Sequence, residues 1–179
     1  MSIIVQKYGG TSIGTIEKIS SVADKIISEK NKGNDLVVVV SAMSGETNRL
    51  LDLAQSIDPD VSGRELDTLV STGEQVTISL LALTLIKKGY DTISLTGPQA
   101  GIVTDSVFNK ARILSINNSI IKKYLRKGMI VVVAGFQGIT KDGDTTTLGR
   151  GGSDTSAVAI TVALDANECQ IYTDVDGVY

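Results

Sequence analysis

The sequence predicts an α/β fold, a mostly parallel open sheet with helices on both faces. Two observations carry this. Five short segments are apolar, rich in β-branched residues and uninterrupted, the habit of strands covered on both faces: IIVQ at 3–6, LVVVV at 36–40, TISLT at 92–96, IVVVAGF at 130–136 and QIYT at 170–173. Helical patterns lie between them, and strands alternating with helices imply parallel pairing. Ligands in such sheets gather at the carboxyl ends of the strands.

Each element has its own signal. The first strand is closed by Lys7, and Gly9 and Gly10 turn it over. A helix follows, with Ile16, Ile19, Val22, Ala23, Ile26 and Ile27 at three- and four-residue spacing up to Asn31-Lys32-Gly33. After the valine run, the small and hydroxyl residues 41–47 open another helix, for which Ser44 reads as a cap. A longer pattern runs from about Glu65 to Lys88, broken near Ser71-Thr72-Gly73. AGIVTD at 100–105 and KDGD at 141–144 read as local hairpin pieces. Helices are also expected near Asn117–Lys127 and from about Asp154 to Leu164. No repeat, linker or low-complexity segment interrupts this order.

Composition narrows the function. With 179 residues, 42% of them apolar, the chain can bury one ordinary core and has little left for a second. A net charge of −3 and the lack of a long basic stretch argue against a nucleic-acid partner. Met1 to Val5 is too short for a signal core, and ISLLALTLI at 78–86 is half a membrane span closed by Lys87 and Lys88, so the expectation is a cytoplasmic protein with no membrane partner. The single cysteine, Cys169, reads as core filler. The absence of histidine excludes a histidine base, a His-dependent triad and a His-ligated zinc.

The residues that carry chemistry follow predicted strands. Behind Lys7, the bare backbone of Gly9 and Gly10 lets a phosphate approach main-chain N–H groups near a helix N-terminus, while the lysine supplies positive charge. The same residues equally suit a tight turn with a solvated lysine. Neither a P-loop nor a dinucleotide fingerprint is present: Gly9 and Gly14 have P-loop spacing but lead into Thr15-Ile16. In the loop 41–47, Ser41 and Thr47 are placed to face a ligand. The richest segment is Thr145 to Asp154, where Arg150 stands between glycines ahead of a helix and combines an anion clamp with exposed backbone donors. A flexible hairpin loop would explain the glycines but not Arg150 and Asp154. Thr173-Asp174-Val175-Asp176-Gly177 imitates a calcium loop, but its acidic twelfth position would fall past Tyr179 and no helix precedes it.

Together KYGGTS at 7–12, VVSAMSGETN at 39–48, STGE at 71–74, GFQG at 135–138, TLGRGGSD at 147–154 and TDVDGVY at 173–179 closely resemble aspartokinase, within the broader amino-acid kinase family. The resemblance runs the whole chain in natural order. It implies the three-layer αβα sandwich of amino-acid kinases and transfer of the ATP γ-phosphoryl group to the side-chain carboxylate of L-aspartate. A carboxylate with a solution pKa of about 4 is already ionised at neutral pH and needs no base. What remains is to bring two anions together.

By the resemblance, Lys7 and Asp154 are catalytic: Lys7 neutralises the transferring group, and Asp154 orients either Lys7 or the metal-bound phosphates. Lys7, Tyr8, Gly9, Gly10 and Ser41 lie along the ATP phosphates, with Thr173, Asp174 and Tyr179 around ribose and adenine. For aspartate, Arg150 clamps the backbone carboxylate and Glu74 partners the ammonium group, with Thr47, Gly151 and Ser153 donating hydrogen bonds. Glu74 has a plainer reading as a capping acid after Gly73. Magnesium is implied as the ATP counter-ion, held through phosphates and water, and a kinase-domain homodimer is the family expectation. Aspartokinases continue well past TDVDGVY, so the chain is expected to carry part of one catalytic domain, with an incomplete adenine site and without regulatory ACT domains. Two other readings stand beside this one: glutamate or N-acetylglutamate kinase, and a non-catalytic nucleotide-binding module.

Overall fold

Valine runs dictate the centre of the molecule, because a strand that is apolar on both sides is stable only between two covering layers. The computed structural model describes residues 2–173. In chain order its elements are β1 (Ile3–Tyr8), α1 (Ile16–Lys30), β2 (Asp35–Val40), α2 (Glu46–Gln55), α3 (Arg64–Val70), α4 (Thr72–Lys87), β3 (Thr92–Leu95), β4 (Ile102–Thr104), β5 (Ile113–Ile116), α5 (Ser119–Leu125), β6 (Ile130–Ala134), β7 (Gln137–Ile139), β8 (Thr145–Thr147), α6 (Gly152–Leu164) and β9 (Glu168–Tyr172). The five expected strands assemble in the order β3-β6-β2-β1-β9, and every pairing among them is parallel.

Alternation along each strand divides the core. Ile4, Tyr8, Leu36, Val38, Val40, Ile130 and Val132 pack against Ile19, Val22 and Ile26 of α1 and Ile78, Leu81 and Leu85 of α4. Val5, Val37, Val39, Val131 and Val133 point the other way, against Ile121 and Leu125 of α5 and Ala157, Ile160 and Leu164 of α6. The result is the three-layer αβα arrangement. The helical stretch 64–87 is long and apolar enough to cross a membrane by composition alone. Its α4 portion instead lays one side on the sheet, leaving Val76, Leu83 and Ile86 exposed.

The chain differs from expectation in three places. The hairpin pieces belong to a second sheet, β5-β4-β7-β8, whose strand β5 has half-buried ends, an exposed middle and no long apolar run to announce it. The break expected near residues 71–73 is a single residue: Ser71 keeps right-handed helical geometry, so α3 and α4 follow almost without interruption. Ser44 does not cap α2. Gly45, in the left-handed region at φ 82°, takes the N-cap position, where a residue with a side chain would be strained, and Ser44 packs against the loop after β1, its Cβ near Gly14.

Candidate active site

The carboxyl ends of β1, β2 and β6 open toward the same side, as parallel pairing requires, and a cleft of about 570 Å³ forms there. β1 is an interior strand, and Lys7 is in register with Val39 of β2 and Ile171 of β9. Because side chains alternate, Tyr8 turns toward α1 and Lys7 toward α6. Its Nζ lies 2.8 Å from Oδ1 of Asp154, in the first turn of α6. The lysine side chain is 11% exposed and the aspartate 49%, so the pair spans the boundary between protein and open cleft. An acid in a first helical turn is itself favoured by the helix dipole.

Close backbone approach brings α6 to this place. An added Cβ on Gly135 would sit 2.8–3.0 Å from Oγ, Cβ and Cα of Ser153, and one on Gly152 would sit 2.8 Å from the Phe136 ring. Phe136 adopts φ 69°, left-handed and unusual for an aromatic residue. Its N–H donates to Ser156 Oγ at 3.1 Å, and its carbonyl accepts from Leu148 N–H at 2.9 Å. Overpacking at such a contact is destabilising, so Gly135→Ala is expected to lose about 1–3 kcal/mol. Denaturant unfolding checks this, and an unchanged midpoint would show that the two backbones do not need the clearance.

Glu74 stands at the other wall. Gly73 brings α4 against the Ser41-Ala42 loop, where an added Cβ would meet Ala42 Cβ at 3.0 Å. Glu74 is only 2% exposed; its Oε1 accepts from Ala42 N–H at 3.0 Å, and Oε2 has no hydrogen-bond partner. Burial pushes its carboxyl up to about 7, against the opposing pull of hydrogen bonds from its own N–H and that of Ala42. A buried carboxyl with one free oxygen facing a cleft is prepared to receive a cation. Glu74 lies in the first turn of α4, where the N-cap residue Ser71 makes no side-chain cap.

Lys7, Ser41, Thr47, Glu74, Arg150, Gly151, Ser153 and Asp154 all line this one cleft, though they come from four separate stretches of chain. Other expected residues lie differently. Tyr8 is buried under α1 and stacks on Tyr172 with ring centroids 4.7 Å apart, so its side chain cannot meet a nucleotide; its carbonyl instead accepts from Ser41 N–H. Gly9 lies beside Lys7, where an added Cβ would come within 3.5 Å of Nζ. Gly10 serves the loop contact: an added Cβ would meet the Ala42 carbonyl at 2.8 Å. Thr173 follows β9 next to the end of β1. Asp174 and Tyr179 lie outside the described residues.

Asp67, a residue with no motif to mark it, completes the cleft floor. It is fully buried and accepts from Asn109 N–H at 2.9 Å, Asn109 Nδ2 at 2.7 Å, Thr147 N–H at 2.9 Å and Thr147 Oγ1 at 2.5 Å. No group of three or more metal-ligating side chains occurs among the described residues. Half-exposed Asp154 is the carboxylate paired with Lys7 in the cleft.

Comparison with known proteins finds relatives along the whole chain. The chain is 61% identical to an aspartate kinase of Pseudomonas putida and 56% identical to aspartokinase 2 of Bacillus subtilis, in each case over all 179 residues. It spans only 44% of the length of either relative. A crystal structure of aspartate kinase from Synechocystis superposes with a TM-score of 0.85 at 51% identity, covering 98% of this chain and 29% of that one. E. coli aspartokinase III, solved in complex with aspartate and ADP, also gives 0.85 at 27% identity, covering 99% of this chain and 50% of that one. The model of the amino acid kinase family matches residues 2–179. Sharing that family's sequence pattern across its length and the fold of solved kinases, the chain belongs to the amino acid kinase family.

Proposed function

We propose that the protein carrying this chain phosphorylates the side-chain carboxylate of L-aspartate with ATP, giving 4-phospho-L-aspartate and ADP, the first step toward lysine, threonine and methionine. The observation that carries this reading is the pairing of charges across one cleft. Lys7 and Asp154 mark a phosphoryl end, while Glu74 and Arg150 offer an ammonium partner and a carboxylate clamp, as an α-amino acid requires. The relatives' names and the aspartate and ADP bound in E. coli aspartokinase III support it.

In the proposed mechanism Arg150 grips the α-carboxylate and Glu74 the ammonium group. Thr47, Gly151 and Ser153 supply hydrogen bonds, so the side-chain carboxylate is directed toward Lys7. A carboxylate oxygen forms the new bond to the γ-phosphorus as the bond to the β,γ-bridging oxygen breaks. No proton needs to move. Lys7, held by Asp154, neutralises charge gathering on the equatorial oxygens, and Gly9 leaves the ammonium group free of obstruction. Ser41 stands by the phosphate path; Thr173 and, past the described residues, Asp174 and Tyr179 belong to the nucleotide end. Magnesium, brought with ATP, supplies charge neutralisation. We read residues 1–179 as part of one kinase catalytic domain of a cytoplasmic enzyme that pairs as a homodimer through its kinase domain, with regulatory domains outside these residues.

The test is a hydroxamate assay on the complete protein with aspartate, glutamate and N-acetylglutamate in parallel, beside calorimetric titration of each. Aspartate-dependent, ATP-dependent acyl phosphate is the expected result. Turnover restricted to another acid would replace the substrate, and nucleotide binding without turnover would leave only a binding module.

A further inference from the structure

Asp67 is out of place by the usual rules for a core. A buried carboxylate is costly unless its oxygens are well satisfied, and an apolar residue would pack α3 at less expense. Its partners explain the choice. All four donor groups are neutral, and they belong to just two residues, Asn109 and Thr147, which lie 42 and 80 positions further along the chain. Both oxygens act only as acceptors, the role of a carboxylate.

Those two residues are the base on which the Arg150 loop stands. Thr147 ends β8, and the next residues are Leu148, Gly149 at φ 80°, Arg150 and Gly151 at φ 71°. Glycine on both sides leaves the arginine little local restraint. Gly149 passes over the backbone of Asn109 and Lys110, where an added Cβ would be 3.6–3.7 Å away. Asn109 sits at φ 66° and is tied to Gly63 in both directions. Asp67 therefore grips both pieces of backbone beneath the loop, whose other ties are Leu148 N–H to the Phe136 carbonyl and Gly152 N–H to the Gly149 carbonyl.

We infer that Asp67 is a positioning residue for the acceptor: by holding Thr147 and Asn109 together it sets where Arg150 stands relative to Lys7, and so the length of amino acid that the cleft takes. This rests on the function proposed above. A displacement of an ångström at a binding group can cost about a hundredfold.

The experiment uses the complete protein with Asp67→Asn, which keeps the shape but turns a donor toward donors, and Asn109→Gly, which keeps the left-handed backbone without strain and the main-chain bond to Asp67 while removing the side chain's bonds to Asp67 and Gly63. For Asp67→Asn the expected result is a rise of about tenfold or more in the KM and Kd for aspartate, an unchanged KM for ATP, and a lower preference for aspartate over glutamate. Asn109→Gly should show the same split in smaller degree, and it decides alone should Asp67→Asn fail to fold. ATP and aspartate constants rising in step, or unchanged selectivity, would overturn the assignment. Wild-type protein taking an acid other than aspartate would overturn the substrate reading only, with the split then read on that acid; wild type that binds no amino acid overturns both.

Discussion

Lys7→Met in the complete protein is expected to lower kcat by at least about two to three orders of magnitude while leaving the fold intact, since one well-placed charged donor in a water-poor site is worth about 3 kcal/mol or more in the transition state. Methionine keeps most of the stem that β1 buries. Asp154 is half exposed as a whole, but its Oδ1, the atom facing Lys7, is buried without a hydrogen-bond partner, so some loss of stability is expected beside the kinetic effect. KM values should move far less than kcat, because two anions can still be held by Arg150 and the backbone donors without being pushed through the transfer. Steady-state kinetics with a thermal melt as control measure both. A loss below about tenfold would remove Lys7 from the chemistry.

Glu74→Gln should act on the other half of the reaction. It keeps the acceptor for Ala42 N–H but removes the charge that meets an ammonium group, so the aspartate KM should rise by about two orders of magnitude while the ATP KM stays put; a lost buried charge partner costs on the order of 3 kcal/mol. The pH profile gives a second reading. With the Glu74 carboxyl at about 7, the empty site is largely protonated below neutrality and must lose that proton to pair with an ammonium. Aspartate binding should therefore tighten as pH climbs from 5.5 to about 7 and level off above, with a proton released on binding. In the variant this slope disappears.

The same group acts on stability with the opposite sense. Its folded value is raised above the ordinary 4.5, so the unfolded chain ionises first and stability falls as pH rises between about 4.5 and about 7. Glu74→Gln removes that loss and should make the unliganded protein more stable at pH 8 by about 3 kcal/mol at most. Denaturant unfolding at pH 5 and pH 8 measures it. Equal pH dependence in wild type and variant would show that the carboxyl ionises freely in the fold.

The central sheet was legible because its strands are buried on both faces, and a run such as LVVVV has no other stable use. The candidate site was legible unevenly: Arg150 and Asp154 beside glycines ahead of a helix resist a purely structural account, Lys7 with its two glycines equally suits a tight turn, and Glu74, inside a helical run, came only from the family resemblance. The second sheet was harder. β5 is half solvated and reads ILSI with a single pair of apolar flanks, so its partner decides its conformation more than its own residues do. Asp67 left no trace at all. It lies in a helical run where an acid on the outer face would look the same, and its purpose depends on Thr147, brought in from a strand 80 positions away.

One last consequence concerns motion. Lys7 belongs to a strand laced to neighbours on both edges, with Val39 and Ile171 level with it. Sliding that strand would break two ladders at once. The backbone that carries the lysine is thus a stationary post, and any closure that completes the reaction must be made by side chains, the loops and their cargo moving about it.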